Sequence, residues 1–445
     1  MTWIITGEQV NPAGDAQITY DITSTGGTFT LRSTGTVDYE VEWGDGTVER
    51  STSNALAHTY AAGSYVLKIR TDQQYRPYFN SSGDEDQITS VELVSDLNVG
   101  STLERAWEGS NNMTSFDAAF GVTSSVTNFY RTWYLCSSLT SFPLIDVSSG
   151  TNFFSAWNNC SSLTSFPLID TSSGTSFSYA WYQCSSLTSF PLIDTSSGTT
   201  FAYAWQSCNS LTSFPAIDTS SGINFSRAWQ YCTSLTSFPA IDISGGTDFT
   251  YTWGSCSSLT SFPLLDTSSG TNFSYTWYSC NSLTSFPAID TSNATIFTGT
   301  WYNCSSLTSF PAIDTSSGTS FYQTWEGCYG LTAFPALTMN NATTFNRAWR
   351  NNVNLVTFPA NVFDNWTGTP ADNCFELTWD LCSSLSYTSV ENILNSIDTS
   401  GQSAPASGVD ITIDYDAGTG TPSVATAVTN LKSRGWTITL NGVAQ

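Results

Sequence analysis

Trp181-Tyr-Gln-Cys184-Ser-Ser-Leu187-Thr-Ser-Phe190-Pro-Leu-Ile193-Asp194-Thr-Ser-Ser-Gly-Thr-Thr-Phe201-Ala-Tyr-Ala-Trp205 is one copy of a 24-residue period that repeats nine times between residues 133 and 349. Tryptophan returns every 24 residues from Trp133 to Trp349, and cysteine does the same from Cys136 to Cys328. A fixed period between 20 and 50 residues predicts a solenoid, in which each copy is one coil that buries its apolar side only against its neighbours. Function is then expected on a long surface rather than in a pocket.

Composition agrees with a packed body. Aromatic residues make up 14% of the chain and charged residues only 11%, so there is ample material for a core. The net charge of −24, with 12 basic residues, argues against binding the phosphates of nucleic acid or the surface of anionic membranes. No run approaches the ~18 apolar residues of a membrane-spanning helix. The start, Met1-Thr-Trp-Ile-Ile-Thr-Gly-Glu8, lacks a basic segment followed by a long apolar run, so no export signal is read there. Nine of the eleven cysteines recur once per coil, a structural register that predicts buried free thiols rather than a disulfide framework. No Cys-x-x-Cys pair occurs and His58 is the only histidine, so no metal site and no cofactor is assigned.

Four segments follow. Residues 1–75 alternate as short strands at Thr28–Arg32, Tyr39–Trp43 and Tyr65–Ile69, separated by turns at Trp43-Gly-Asp-Gly-Thr47 and after His58-Thr-Tyr60. The Trp-Gly-Asp-Gly turn with later His-x-Tyr and Gly-x-Tyr pairs resembles the PKD domain, which implies an immunoglobulin-like β-sandwich with Asp45 and His58 holding a turn. Residues 76–106 read as a linker and solenoid cap, in which Ile88-Thr-Ser-Val91 imitates the Leu-Thr-Ser-Phe of the coils. Residues 107–387 are the solenoid, whose first coil, Trp107 to Trp133, is two residues too long. Residues 388–445 read as an α/β cap: a helix opened by a Thr388-Ser-Val-Glu391 capping box, a strand at Val409–Ile413, a helix from Pro422 to Arg434 and a strand at Trp436–Leu440.

Within a coil, Leu187, Phe190, Leu192, Ile193, Phe201, Ala204 and Trp205 fit neither one helix face nor one alternating strand. They suggest a short strand near Ser189 to Ile193, interrupted at Pro191, and a second, less regular side ending at Trp205. With coils ~4.8 Å apart, the tryptophans from Trp107 to Trp379 form a buried column. The motif Phe-x-x-Ala-Trp-x-x-Cys-x-x-Leu-x-x-Phe-Pro resembles the BspA-type leucine-rich repeat of bacterial and phage-encoded surface proteins. The sequence departs from that family in having Trp for the usual Phe before the cysteine block, and mostly Ser-Gly for Asn-Val after Asp-Thr-Ser. The fold class expected is mainly β: a leucine-rich-repeat-like solenoid between a PKD-like sandwich and the small α/β cap.

Candidate chemistry is sparse. Aspartates recur from Asp146 to Asp314 every 24 residues; each is expected to cap its own Asp-Thr-Ser turn, with calcium along the column as the alternative. A glycoside hydrolase needs two carboxylates at a set separation, and the only acidic irregular segments hold Asp117, Asp364, Asp372 and Glu376. These are read as surface loops, so no catalytic residue is assigned and the protein is expected not to be an enzyme. The positions that vary while all else repeats lie two before and one after each tryptophan. Tyr134, Tyr179, Tyr182, Tyr203, Arg227, Tyr251, Tyr275, Tyr278, Tyr302 and Arg347 stand there and are expected to face outward as a binding face, since Tyr and Arg are enriched in interfaces. The reading is a non-enzymatic, extended adhesion or structural protein on a virion exterior, a fibre or decoration protein contacting host surface glycan, host protein or neighbouring virion proteins. It involves no nucleic acid and no membrane insertion, and is compatible with a homo-oligomer. The alternatives are a secreted adhesin on the bacterial surface and a carbohydrate-active tailspike.

Overall fold

In the computed structural model the Phe-to-Cys side of each coil carries an alternating run of backbone bonds to the next coil, while the Leu-Thr-Ser side adds single ones such as Thr164 N–H to the Thr140 carbonyl. Around Trp133, the backbone N–H groups of Phe129, Arg131, Trp133 and Leu135 donate to the carbonyls of Asn152, Phe154, Ala156 and Asn158 at 2.8–3.0 Å. The intervening N–H groups of Thr132, Tyr134 and Cys136 donate within the coil, to Phe129, Arg131 and Trp133. Alternate donors thus point along the stack and into the turn. The residues two before and two after tryptophan take left-handed backbone, as at Arg131 (φ 53) and Leu135 (φ 64), or Tyr251 (φ 56) and Ser255 (φ 62).

The described residues are 17–35, 37–80, 83–94 and 97–445, so the start, where no export signal is read, lies outside them, as do Ser81 and Ser82 of the linker. They belong to two compact units, Met1–Gly198 and Thr199–Gln445, each containing its own stack of coils.

Rings fill each stack. In the first unit Trp133, Trp157 and Trp181 repeat at 5.4 Å, tilted by 5–6°. In the second, successive rings from Trp205 to Trp379 lie 5.3–5.8 Å apart and within 10° of parallel. The phenylalanine before each proline meets this column edge-on, as Phe142 does Trp133 at 4.8 Å and 83°, an arrangement that matches the quadrupoles of the two rings.

All eleven cysteines are free and buried. Thiols of the coils donate to the backbone of the preceding coil: Cys160 to the Trp133 carbonyl and Cys256 to the Trp229 carbonyl, both at 3.2 Å. Burial pushes the Cys256 and Cys304 thiols up to about 12, which removes the reactive thiolate. Thiol titration of the native protein should therefore find none of the eleven, and titration in denaturant without reductant should find all of them. Intact disulfides in denaturant would contradict the arrangement.

Two expectations for the coil are corrected. No strand forms at Ser189 to Ile193, because Pro191 has no N–H to donate and Ile193 donates back to the Pro191 carbonyl instead. The first coil shows the reason by contrast: Asp117 stands where proline stands later, and there β6 (Ser115–Ala118) pairs in parallel with β5 (Ile88–Leu93). Leu192, taken as part of the apolar set, is 61% exposed, as are its counterparts Leu144 and Leu168 at 59% and 64%.

In the first unit, the strands expected before residue 75 lie within β1 (Ile18–Arg32), β2 (Tyr39–Glu42) and β4 (Ala55–Arg70), with β3 (Val48–Ser51) added. They join β5 and β6 in one sheet of order β3-β2-β4-β1-β5-β6, where a two-sheet sandwich was expected. A single long antiparallel ribbon, β1 against β4 from Ile18↔Ile69 to Arg32↔Ala55, carries most of the pairing. The Trp43 turn is closed by Asp45, which accepts from the Thr47 N–H at 2.9 Å and lies 2.8 Å from His58 Nε2; these contacts hold its pKa down to about 2. His58 in turn stacks on Trp43 at 4.7 Å.

The second unit ends in α1 (Tyr387–Thr399), β7 (Asp410–Ile413), α2 (Ala425–Ser433), β8 (Thr437–Leu440) and β9 (Val443–Ala444). The capping box is displaced from the one expected. Ser386 is the N-cap, accepting from the Ser389 N–H, while Glu391 binds the Ser423 N–H and so ties α1 to the approach of α2.

Candidate functional site: a tyrosine and arginine ladder beside the tryptophan column

Because the position two before tryptophan is left-handed, Gly or Asn would occupy it at least cost. At two after tryptophan the chain uses such residues more often, at Gly109, Asn159, Asn303, Gly327 and Asn351, beside Leu135, Gln183, Tyr231, Leu381 and three serines. At two before it does so once, at Gly299, and otherwise holds Ser155, Leu377, Gln323, the arginines Arg105, Arg131, Arg227 and Arg347, and the tyrosines Tyr179, Tyr203, Tyr251 and Tyr275 in the same backbone state. Large planar side chains are kept there against backbone preference, and their contacts show what they gain.

In the second unit the Arg227 guanidinium carbon lies 5.2 Å from the centre of the Tyr203 ring and 4.8 Å from that of Tyr251. Tyr251 stacks in turn on Tyr275 at 4.7 Å and 9°. One column over, Tyr278 stacks on Tyr302 at 5.5 Å and meets Tyr275 edge-on at 6.0 Å. Among the described residues Arg347 lies over no ring. In the first unit Arg131 lies 3.9 Å over the Tyr134 ring, and Tyr179 contacts Tyr182 at 5.7 Å. The sequence reading overlooked Phe154, which packs against Tyr130 and Tyr179; it stands three before tryptophan, a register position that varies as informatively as the two considered.

These side chains are half-buried rather than fully outward. Burial raises the phenols of Tyr251, Tyr275 and Tyr302, with Arg227 offsetting part of the rise at Tyr251. They remain neutral, with hydroxyls able both to donate and to accept.

The acidic groups are engaged elsewhere. Asp170 accepts from the Ser172 hydroxyl at 2.7 Å and amide at 3.1 Å, which lower its pKa; Asp266 is held down in the same way by Ser268. Asp117 accepts from the Ala118 amide, Asp364 from the Ser396 hydroxyl, Asp372 from the Ser407 hydroxyl and Glu376 from the Asn346 amide group. Asp372 and Glu376 line a cavity of about 390 Å³ together with Asp410. Among the described residues no group of three His, Cys, Asp or Glu side chains is placed to hold a metal ion, and no helix is long and apolar enough to cross a membrane.

No family model and no curated protein matches this sequence. Among solved structures, a leucine-rich repeat protein from Bacteroides ovatus is similar over 78% of this chain and 93% of its own, with 17% identity and a TM-score of 0.43.

Proposed function

We propose that this is a non-enzymatic adhesion or structural protein of the BspA-like leucine-rich-repeat kind, with a PKD-like amino-terminal segment, displayed on the outside of a virion or a bacterial cell. The ladder of Tyr and Arg side chains is its contact face, meeting a surface glycan or a neighbouring surface protein. One observation carries the reading: bulky planar side chains persist at a left-handed position where smaller residues cost less. A weak contact repeated coil after coil gains affinity through multivalency. The tailspike alternative has the cavity lined by Asp372 and Glu376 in its favour, but both carboxylates accept hydrogen bonds that join segments of the fold.

Replacing Tyr179, Tyr203, Tyr251 and Tyr275 together with Ser tests the face. The fold should survive, because Ser155 already occupies this position with φ 54. Circular dichroism should be unchanged while retention on intact bacterial cells falls by about tenfold or more, the loss of several weak contacts at once. Full retention by a folded variant would move attachment to the end segments.

A further inference from the structure

Between residues 105 and 387 the chain contains five basic residues, all arginine: Arg105, Arg131, Arg227, Arg347 and Arg350. Every one stands two before or one after a tryptophan, in a protein of net charge −24. The cations of the coils are thus confined to the columns that hold the tyrosines. Three of them are neutralised locally, Arg105 and Arg131 by Glu108, and Arg350 by Glu326 and Asp380. Among the described residues Arg227 has no carboxylate partner and lies between the Tyr203 and Tyr251 rings.

This packing decides what kind of ligand the ladder can recognise. A sugar ring stacks on an exposed aromatic face, and Tyr251 has none: Arg227 covers one side and Tyr275 the other. The far side of Tyr275 lies on Gly299, where a Cβ would come within 2.3 Å of ring carbon Cε1. That glycine makes room for the ring. What the ladder presents is therefore edges, phenolic hydroxyls and the N–H groups of a guanidinium. A guanidinium offers its donors in one plane, in a fork that matches an oxyanion, and lying between two rings holds it in place before a ligand arrives.

We propose that the ladder formed by Tyr203, Arg227, Tyr251 and Tyr275 binds an anionic polysaccharide, with Arg227 taking its carboxylate or sulfate groups and the phenols its hydroxyls. The proposal rests on the contact-face reading above and names the ligand class. The ordering of the guanidinium, with no carboxylate partner among the described residues, favours an acidic group over a neutral one at this point of the coils, against the repulsion that the net charge of −24 imposes on a polyanion elsewhere.

The test uses the full-length protein with immobilised polygalacturonate, dextran sulfate, dextran and polyglutamate. Binding is expected to one or both polyanionic glycans, the pattern telling carboxylate from sulfate, and it should weaken as salt is raised. Arg227→Gln should lose about tenfold or more, the worth of a hydrogen bond to a charged group, with an unchanged melting temperature, and Arg227→Lys should lose less. Equal binding by folded Arg227→Gln overturns the proposal, as does binding to dextran as tight as to the polyanions. Polyglutamate binding as tightly as the glycans overturns it in favour of an acidic protein partner. The quadruple Tyr variant separates the two levels: if it loses cell retention while Arg227→Gln binds glycan normally, the face stands and the ligand class falls.

Discussion

Trp253→Ala should cost about 3–5 kcal/mol of stability, the range for deleting a large buried ring. Trp253 is fully buried, lies between Trp229 at 5.8 Å and Trp277 at 5.5 Å, and takes the edges of Phe238 and Phe262 at 5.3 Å and 4.8 Å. Removing it opens a cavity bordered by rings that are held by their own neighbours and cannot collapse into it. Trp253→Phe should cost about 1.5 kcal/mol or less, as a substitution that keeps most of the volume. It also removes an indole N–H that has no acceptor in the core. Denaturant unfolding of the two variants beside the parent measures both costs. A loss below about 1 kcal/mol for the alanine variant, less than a buried ring is worth, would mean that the backbone bonds between coils hold the stack without the rings.

Ending the chain after Leu385 should make the protein aggregate. Val390, Ile393, Leu394 and Ile397 of α1 are all buried, and the Ser389 hydroxyl both accepts from the Phe358 N–H and donates to the Val356 carbonyl. Trp436 lies 5.6 Å from Phe375 and 6.3 Å from Trp366, and Ile413 bridges to Trp379. Without this segment the last coils would expose their rings and unpaired backbone groups, a template for association with other copies. Size-exclusion chromatography should show aggregate or insoluble protein. A stable monomer with the circular dichroism of the parent coils would show that the segment does not protect the end of the stack.

The sequence alone was enough to read the period and the buried aromatic and cysteine positions, because each depends on identity recurring at a fixed spacing; for the aspartates it left turn-capping beside a calcium column. Stacked copies demand the same shape at the same place, so Trp253 and Cys256 can be read without coordinates. The direction of backbone groups is not written that way. Pro191 warned that the Ser189–Ile193 side was weak, but only the structure showed the inter-coil bonds on the other side, at Phe129, Arg131, Trp133 and Leu135. Left-handed backbone at two of those donors, Arg131 and Leu135, helps set which N–H groups point along the stack, and no hydrophobic periodicity records a φ angle. Leu192 was misplaced for the same reason: the Pro191–Ile193 turn puts two adjacent apolar residues on opposite sides, one exposed and one buried. The tyrosines and arginines beside the tryptophans were legible as varying positions, yet their mutual arrangement was not. Whether Tyr251 offers a face or an edge depends on Arg227 and Tyr275, each 24 residues away, and only the stacking of coils brings those three planes together.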